Sequence, residues 1–163
     1  MASNNRPVKC ALFNPQSVVN KTDEIRELIN DQALDILVLC ETWLKRNEKG
    51  NVTTIRSILP STHAFYHTPR PRNLKGGGVG IVLSKVFTEV KKIRTETYQT
   101  FEHLNIDFNH KRERIKFVVV YRSHTTDGET SHVKFREEIQ HLLSTLDGNT
   151  RKRYTYVATL TFG

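Results

Sequence analysis

Two short apolar runs in this sequence each end in a side chain whose oxygen could bind a metal ion. Asn14 follows the run "CALF", and Glu41 follows the run "ILVLC". A carboxylate and an amide oxygen are hard donors that suit Mg²⁺, which keeps several of its waters and needs few protein ligands. Each residue has an ordinary alternative. Asn14 precedes Pro15 as a turn former would, and Glu41 could be a carboxylate at the start of a helix.

The elements around these residues predict that the two side chains share one edge of a sheet. Between the runs, "KTDEIRELINDQ" has apolar residues at helical spacing, acidic residues in the first turn and Thr22 as its predicted N-cap. A strand, a helix and a second strand in this order are typical of a parallel βαβ unit. Because the carboxyl ends of parallel strands meet at one edge, where ligands bind, we expect Asn14 and Glu41 to lie together.

The rest of the chain predicts more strands than helices. Residues 51–72 are expected to be irregular, "GGGVGIVLS" indicates a glycine turn entering a buried strand, and "FEHLNIDF" with "IKFVVVYR" predicts a β-hairpin. The spacing in "SHVKFREEIQHLLSTL" predicts an amphipathic helix with Gly148 just beyond it, and "RYTYVATLTF" predicts a final strand. Two helices among several strands predict an α/β fold with parallel and antiparallel neighbours.

The composition is typical of one globular domain that attracts polyanions. The chain has 163 residues, with 25 Lys and Arg against 17 Asp and Glu, and the resulting charge of +8 favours a nucleic-acid partner. No stretch is apolar for the length of a membrane span, and the first residues lack a secretory signal, so a nuclear or cytoplasmic location is predicted. Cys10 and Cys40 are predicted to be buried thiols without a disulfide.

The segment "PRPRNLKGGG" combines positive charge with backbone donors for an anion. Arg70, Arg72 and Lys75 precede three glycines, whose N–H groups could bind phosphate while the basic side chains bind nucleic acid. A flexible hairpin loop is the open alternative. The segment lacks the GK[ST] ending of a P-loop, and the seven histidines show no pattern typical of a metal site.

Five segments, in order along nearly the whole chain, carry a family resemblance. They are "ALFNPQSVVNKTDEIRELINDQALDILVLCETWL", "GGGVGIVL", "TFEHLNIDF", "VVVYRS" and the closing "LTF". Together they resemble the endonuclease/exonuclease/phosphatase family, and above all the apurinic-type endonuclease domain of non-LTR (LINE-like) retrotransposons. The resemblance implies a four-layered α/β sandwich, in which two packed mixed sheets are flanked by helices, with residues 1–163 forming a single partial domain.

The resemblance also assigns roles to three residues. Glu41 matches the family's metal-binding glutamate, which implies ligation of Mg²⁺ or Mn²⁺. Asn14 matches the asparagine that helps to orient the metal site and the scissile phosphate. Tyr121, at the end of "FVVVY", matches an active-site tyrosine whose hydroxyl can bond a phosphate oxygen. From the residues alone, Tyr121 would be an aromatic strand terminus.

The sequence departs from the family pattern after its last strand. The family follows this strand with Gly-Asp-Phe-Asn and, later, with a Ser-Asp-His motif, and neither is present in these 163 residues. Hydrolysis of a phosphodiester needs an oriented nucleophile and, as a rule, a base. We therefore expect the chain to be an impaired or inactive nuclease, incomplete at its C-terminus, with an exposed sheet that a protein partner or an oligomer would cover.

The sequence thus predicts a Mg²⁺-dependent DNA endonuclease domain of retrotransposon type, impaired in this form. Two alternatives stay open: a non-catalytic remnant that binds nucleic acid through its basic loops, and an interaction protein that docks through its exposed sheet.

Overall fold

Eight strands and three α-helices make up the part of the chain that the structure describes. The computed structural model describes residues 6–45, 49–70, 76–94, 96–122, 129–147 and 153–161. The strands are β1 Cys10–Phe13, β2 Ile36–Cys40, β3 His63–Thr68, β4 Val79–Ser84, β5 Thr88–Ile93, β6 Glu102–His110, β7 Glu113–Arg122 and β8 Arg153–Thr161. The helices are α1 Thr22–Asp31, α2 Lys49–Ile58 and α3 Glu129–Asp147, with a short 3₁₀ helix at Val18–Asn20.

The first sheet contains the predicted parallel unit. Its strand order is β1-β2-β4-β3, and β1 pairs with β2 in parallel so that Phe13 lies opposite Leu39. Strand β4 runs antiparallel to both β2 and β3, which places Val79 beside Cys40. The carboxyl ends of β1 and β2 therefore meet the start of β4 at one edge of the sheet.

The second sheet contains the predicted hairpin. Its order is β5-β6-β7-β8, and β6 pairs with β7 in an antiparallel register from Glu102 opposite Tyr121 to His110 opposite Glu113. Strand β8 pairs with β7 in parallel, as a long connection through α3 allows. The open end of the hairpin brings Glu102 and Tyr121 to the same edge of this sheet.

The sheets and helices form four layers, which confirms the predicted sandwich. One core lies between the sheets and joins residues of β2 and β4 to residues of β6 and β7. A second core packs the other face of the first sheet against α1 and α2, and a third packs β7 against α3. The fully buried strand β2 is apolar at every position because it is covered on both faces. Across the described ranges, no helix has the length and apolar character needed to cross a lipid bilayer.

The sequence predicted that residues 51–72 are irregular, and for residues 51–70, the part of this range that the structure describes, that prediction is wrong. They complete α2 and contain all of β3. Gly50 and two threonines lower the helical propensity of α2, but Ile58 is fully buried and Ile55 packs beside it, so tertiary packing stabilises the helix. A third helix is therefore present in addition to the two predicted.

Two smaller predictions also need correction. Helix α1 is capped by Lys21, which makes no side-chain cap bond, and Thr22 is the first helical residue. Both cysteines are free thiols, as predicted, but Cys10 is exposed while Cys40 is buried. Strand position explains the difference between the cysteines, because Cys10 lies on the edge strand β1 whereas Cys40 lies on the interior strand β2 and in the central core.

Candidate active site between the two sheets

The Glu41 carboxylate joins the edges of the two sheets. Glu41 directly follows β2 of the first sheet, and Tyr121 stands near the end of β7 in the second. The Tyr121 hydroxyl donates a hydrogen bond to Oε1 of Glu41. The structure thus brings together two of the predicted site residues, which are far apart in sequence, at the edge where the sequence placed a ligand site.

The same carboxylate accepts two further hydrogen bonds. The indole N–H of Trp43 donates to Oε2 at 2.7 Å, and the backbone N–H of Gly77 donates to Oε2 at 2.8 Å. Burial raises the pKa of Glu41, but the bonds from Tyr121, Gly77 and Trp43, with the charge of Arg70, outweigh burial and hold that pKa below its ordinary value. Glu41 is therefore an anion at neutral pH.

Tyr121 is held in its neutral form by the same contact. Burial raises the pKa of the Tyr121 hydroxyl, and the hydrogen bond to the Glu41 anion raises it further. The phenol therefore keeps its proton at any physiological pH and remains a hydrogen-bond donor.

A strained backbone turn places Glu41 and Trp43 at this edge. Their φ angles are 52° and 55°, in the left-handed region that non-glycine residues seldom occupy. The turn is fixed by backbone bonds from Ser17 N to Glu41 O at 2.9 Å and from Trp43 N to Gly77 O at 2.9 Å. Such residues each cost roughly 1–3 kcal/mol, and they occur chiefly where function requires them.

Three consecutive glycines, residues 76–78, form a loop against this turn, which we call the glycine loop. All three have positive φ, between 70° and 89°. A Cβ on Gly77 would lie 2.6 Å from Cδ of Arg70, and a Cβ on Gly78 would lie 2.5 Å from Oγ1 of Thr42. Side chains would therefore clash here, and only glycine lets the backbone donors approach the carboxylates.

Glu102 is a second carboxylate at this site, and the sequence reasoning missed it. Its Oε2 accepts the backbone N–H of Gly78, and its Oε1 lies 3.3 Å from Nε of Arg70. Burial raises the pKa of Glu102 to about 6 even though Gly78 and Arg70 act against it. A signal was present in the alternation of "FEHLNIDF", which puts Glu102 on the same strand face as the core residues Leu104 and Ile106.

Asn14 lies at the same edge, where its side chain forms a turn. The residue follows β1 directly, and its Oδ1 accepts the backbone N–H of Gln16 at 3.1 Å. This is the turn-forming role that the sequence left open. The assignment of Asn14 as a metal ligand stays a prediction.

The predicted nucleic-acid-binding residues are described only in part. Arg70 lies at the site and pairs with Glu102, whereas Arg72 and Lys75 fall outside the described residues. Their binding of nucleic acid stays a prediction.

The chemistry of Glu41 fits one bond to a divalent cation. A carboxylate has about four lone-pair positions, and the bonds from Tyr121, Trp43 and Gly77 take three of them. Within the described ranges, no three His, Cys, Asp or Glu side chains form a group that could hold a metal. A cation here would therefore take one protein carboxylate and complete its shell with water or phosphate, as Mg²⁺ does.

Several solved structures share this fold. TDP2 from D. rerio, complexed with single-strand DNA product, matches 93% of this chain and 59% of its own at 13% identity, with a TM-score of 0.61. The AP endonuclease LMAP from Leishmania major matches 93% of this chain and 54% of its own at 14% identity, with a TM-score of 0.61. The endonuclease domain of TRAS1, a telomere-specific non-LTR retrotransposon, matches 93% and 58% at 10% identity, with a TM-score of 0.59.

These likenesses establish the fold, and the chain spans little more than half the length of each of the three structures. No curated protein matches the sequence significantly. The model of the endonuclease/exonuclease/phosphatase family, however, matches residues 8–153, which is most of the chain. The resemblance that the motifs indicated is thereby confirmed, and the chain belongs to the endonuclease/exonuclease/phosphatase family.

Proposed function

We propose that this chain carries the phosphodiester-cleaving site of a Mg²⁺-dependent DNA endonuclease of retrotransposon type. The observation that carries the proposal is the hydrogen bond between Tyr121 and Glu41 across the two sheets. Family membership supports a nuclease-type activity, and the similar structures include an AP endonuclease and the TRAS1 endonuclease domain. TDP2 complexed with a single-strand DNA product supports nucleic acid as the partner.

In this proposal, the residues of the site divide the work between a cation and a phosphate. Members of the family generally depend on a divalent metal, which here would be held by Glu41, with Asn14 as the second predicted ligand. When bound, such a metal would stabilise the negative charge that develops on the phosphate. Tyr121 stays neutral, so its hydroxyl is a hydrogen-bond donor. The hydroxyl can therefore orient either the carboxylate or a phosphate oxygen.

The proposed activity of this chain by itself is weak. Its 163 residues contain neither Gly-Asp-Phe-Asn nor Ser-Asp-His, the segments from which the family draws further catalytic groups. Loss of a general base alone slows hydrolysis by roughly 10²–10⁴-fold. Nicking by the chain is therefore expected to need high protein concentration and long incubation.

The test is conversion of supercoiled plasmid to the nicked form with Mg²⁺, compared with EDTA. We expect slow nicking that EDTA abolishes and that Glu41→Ala reduces to background. The matched control is Glu113→Ala, because Glu113 is an exposed glutamate at the far end of the β6–β7 hairpin. Nicking that Glu41→Ala leaves unchanged would overturn the proposal.

A second candidate is a nucleic-acid-binding protein without catalysis. The charge of +8 favours it, since a basic chain binds phosphates by releasing counterions. Salt-dependent DNA binding that survives Glu41→Ala, together with no Mg²⁺-dependent nicking, would select this candidate.

A protein partner that covers the second sheet also stays a prediction, as does a nuclear or cytoplasmic location. The side chains of β8, which bear on that partner, lie outside the described residues.

A further inference from the structure

The glycine loop donates hydrogen bonds to two carboxylates that come from different sheets. The N–H of Gly77 donates to Glu41, which directly follows β2 of the first sheet. The next N–H, of Gly78, donates to Glu102, which begins β6 of the second sheet. Adjacent backbone donors therefore hold the two acids at a fixed spacing. A shift of the loop that changes the hydrogen bond to one acid therefore also changes the hydrogen bond to the other.

Arg70 completes this arrangement from a position just after β3, at the start of the β3–β4 connection. Its Nε lies 3.3 Å from Oε1 of Glu102, and its Cδ packs where a side chain on Gly77 would stand. Glu102 is thus held by one backbone donor and one cation, while its side chain is only 10% exposed.

A glutamate at position 102 is a poor choice if the side chain only stabilises the fold. Burial of a carboxylate costs free energy that one ion pair seldom offsets, and a well-packed apolar residue at such a position is often neutral or stabilising. Glu102 also stands on the strand face that carries the core residues Leu104 and Ile106. An apolar residue would be preferred on this face of the strand, so the presence of a glutamate there indicates a functional role at the site.

We propose that Glu102 is a positioning residue that anchors the glycine loop, through Gly78 and Arg70, so that Gly77 and Trp43 hold the Glu41 carboxylate in place. The inference deepens the proposed function and rests on it for its catalytic consequence. Its geometric content is independent of catalysis, because Trp43 touches Glu41 and is the single tryptophan of the chain.

The test is Glu102→Gln, measured first by fluorescence of Trp43. A glutamine offers one oxygen to two donors, so either the Gly78 N–H or Arg70 loses its acceptor and the loop is released. Trp43 is 40% exposed, so quenching by acrylamide is expected to increase, by no more than about 2.5-fold if the indole becomes fully accessible. Glu113→Gln, at the far end of the same hairpin, is the control and should quench like the wild type.

The second readout is the split between kcat and KM in the nicking assay. A displaced Glu41 is expected to lower kcat on the order of tenfold while KM stays within about twofold, since the loss falls on the reacting geometry. A wild-type chain that does not nick DNA would defeat the proposed function, while the fluorescence result would still decide the role of Glu102.

Unchanged quenching and unchanged kcat in a folded Glu102→Gln chain would overturn the positioning role. Should that variant fail to fold, Arg70→Gln breaks the same arrangement from its other side and leaves the Gly78 bond intact. A rise in Trp43 quenching in Arg70→Gln supports the proposal, and quenching equal to the wild type contradicts it.

Discussion

At the residue scale, the site depends on one carboxylate that three donors orient. The Glu41 anion accepts hydrogen bonds from the phenol of Tyr121, the indole of Trp43 and the backbone amide of Gly77. Trp43 lies two residues after Glu41, and Gly77 lies in the glycine loop. Such charge-assisted bonds are shorter and stronger than neutral ones, so they hold the carboxylate in one orientation. The sequence pointed to Glu41 and Tyr121, but it could not show that they meet.

The first prediction concerns the hydroxyl of Tyr121. Tyr121→Phe removes a hydrogen bond to a charged group and leaves the ring in place, so the free energy of unfolding should fall by about 1.5–3 kcal/mol. Urea denaturation at neutral pH measures it. Tyr66→Phe on β3 is the matched control, and an equal loss in both variants would contradict a special role for the Glu41 contact.

The second prediction is the pH dependence that Glu102 gives to stability. Burial raises its folded pKa from 4.5 to about 6, so the folded chain binds more protons than the unfolded chain between these values, and stability falls as the pH rises through them. Glu102→Gln has no such group. The unfolding free energy of the wild type minus that of Glu102→Gln should therefore fall by about 2 kcal/mol between pH 4 and pH 7. A flat or rising difference would contradict the burial of this acid.

At the element scale, local pattern predicted the elements with strong periodicity and missed the others. The unit β1-α1-β2 and the β6–β7 hairpin follow directly from their apolar spacing. Strand β5 has the sequence "TEVKKI" and is exposed at all positions but Val90, so no alternation signals it, and pairing with β6 creates the strand. Helix α2 likewise depends on tertiary contacts that no local window contains. Alternation along β6 places Glu102 on the core-facing side of the strand, but its contacts with Gly78 and Arg70 are tertiary.

The third prediction tests the glycine loop as an element. Gly77→Ala meets Arg70 and adopts a φ of 70°, so it should destabilise the fold by roughly 1–3 kcal/mol and raise the quenching of Trp43. Gly50→Ala is the control because nothing lies within 4 Å of its Cβ position in α2. That variant should stabilise the chain by roughly 0.5–1 kcal/mol. Thermal unfolding of both variants decides, and the reverse order of stability would contradict the strain at Gly77.

At the scale of the whole molecule, the packing of the two sheets forms the candidate site, and the net charge bears on the proposed nucleic-acid partner. Glu41 and Tyr121 contact each other because the face of β2 packs on the face of β7 in the central core. The sequence predicted this layering through its family resemblance, since apolar spacing alone does not say which sheet covers which. In the proposed function, the net charge of +8 would favour encounter with nucleic acid.

The fourth prediction follows from that charge. The logarithm of the DNA association constant should fall linearly with the logarithm of salt concentration, because bound phosphates release counterions. Glu41→Ala should bind DNA in the absence of metal at least as well as the wild type, since it removes a negative charge near the phosphate. Fluorescence anisotropy with a labelled oligonucleotide measures both, and affinity independent of salt would contradict an electrostatic interface.

In the proposed function, Glu41 and Tyr121 act as one unit in phosphodiester cleavage, and a double-mutant cycle on the plasmid nicking rate measures whether they do. Glu41→Gln, Tyr121→Phe and the double variant are compared with the wild type in Mg²⁺. We expect the double variant to lose no more activity than the worse single variant, because each change disables the same unit. Losses that multiply, as they do for independent residues, would contradict it.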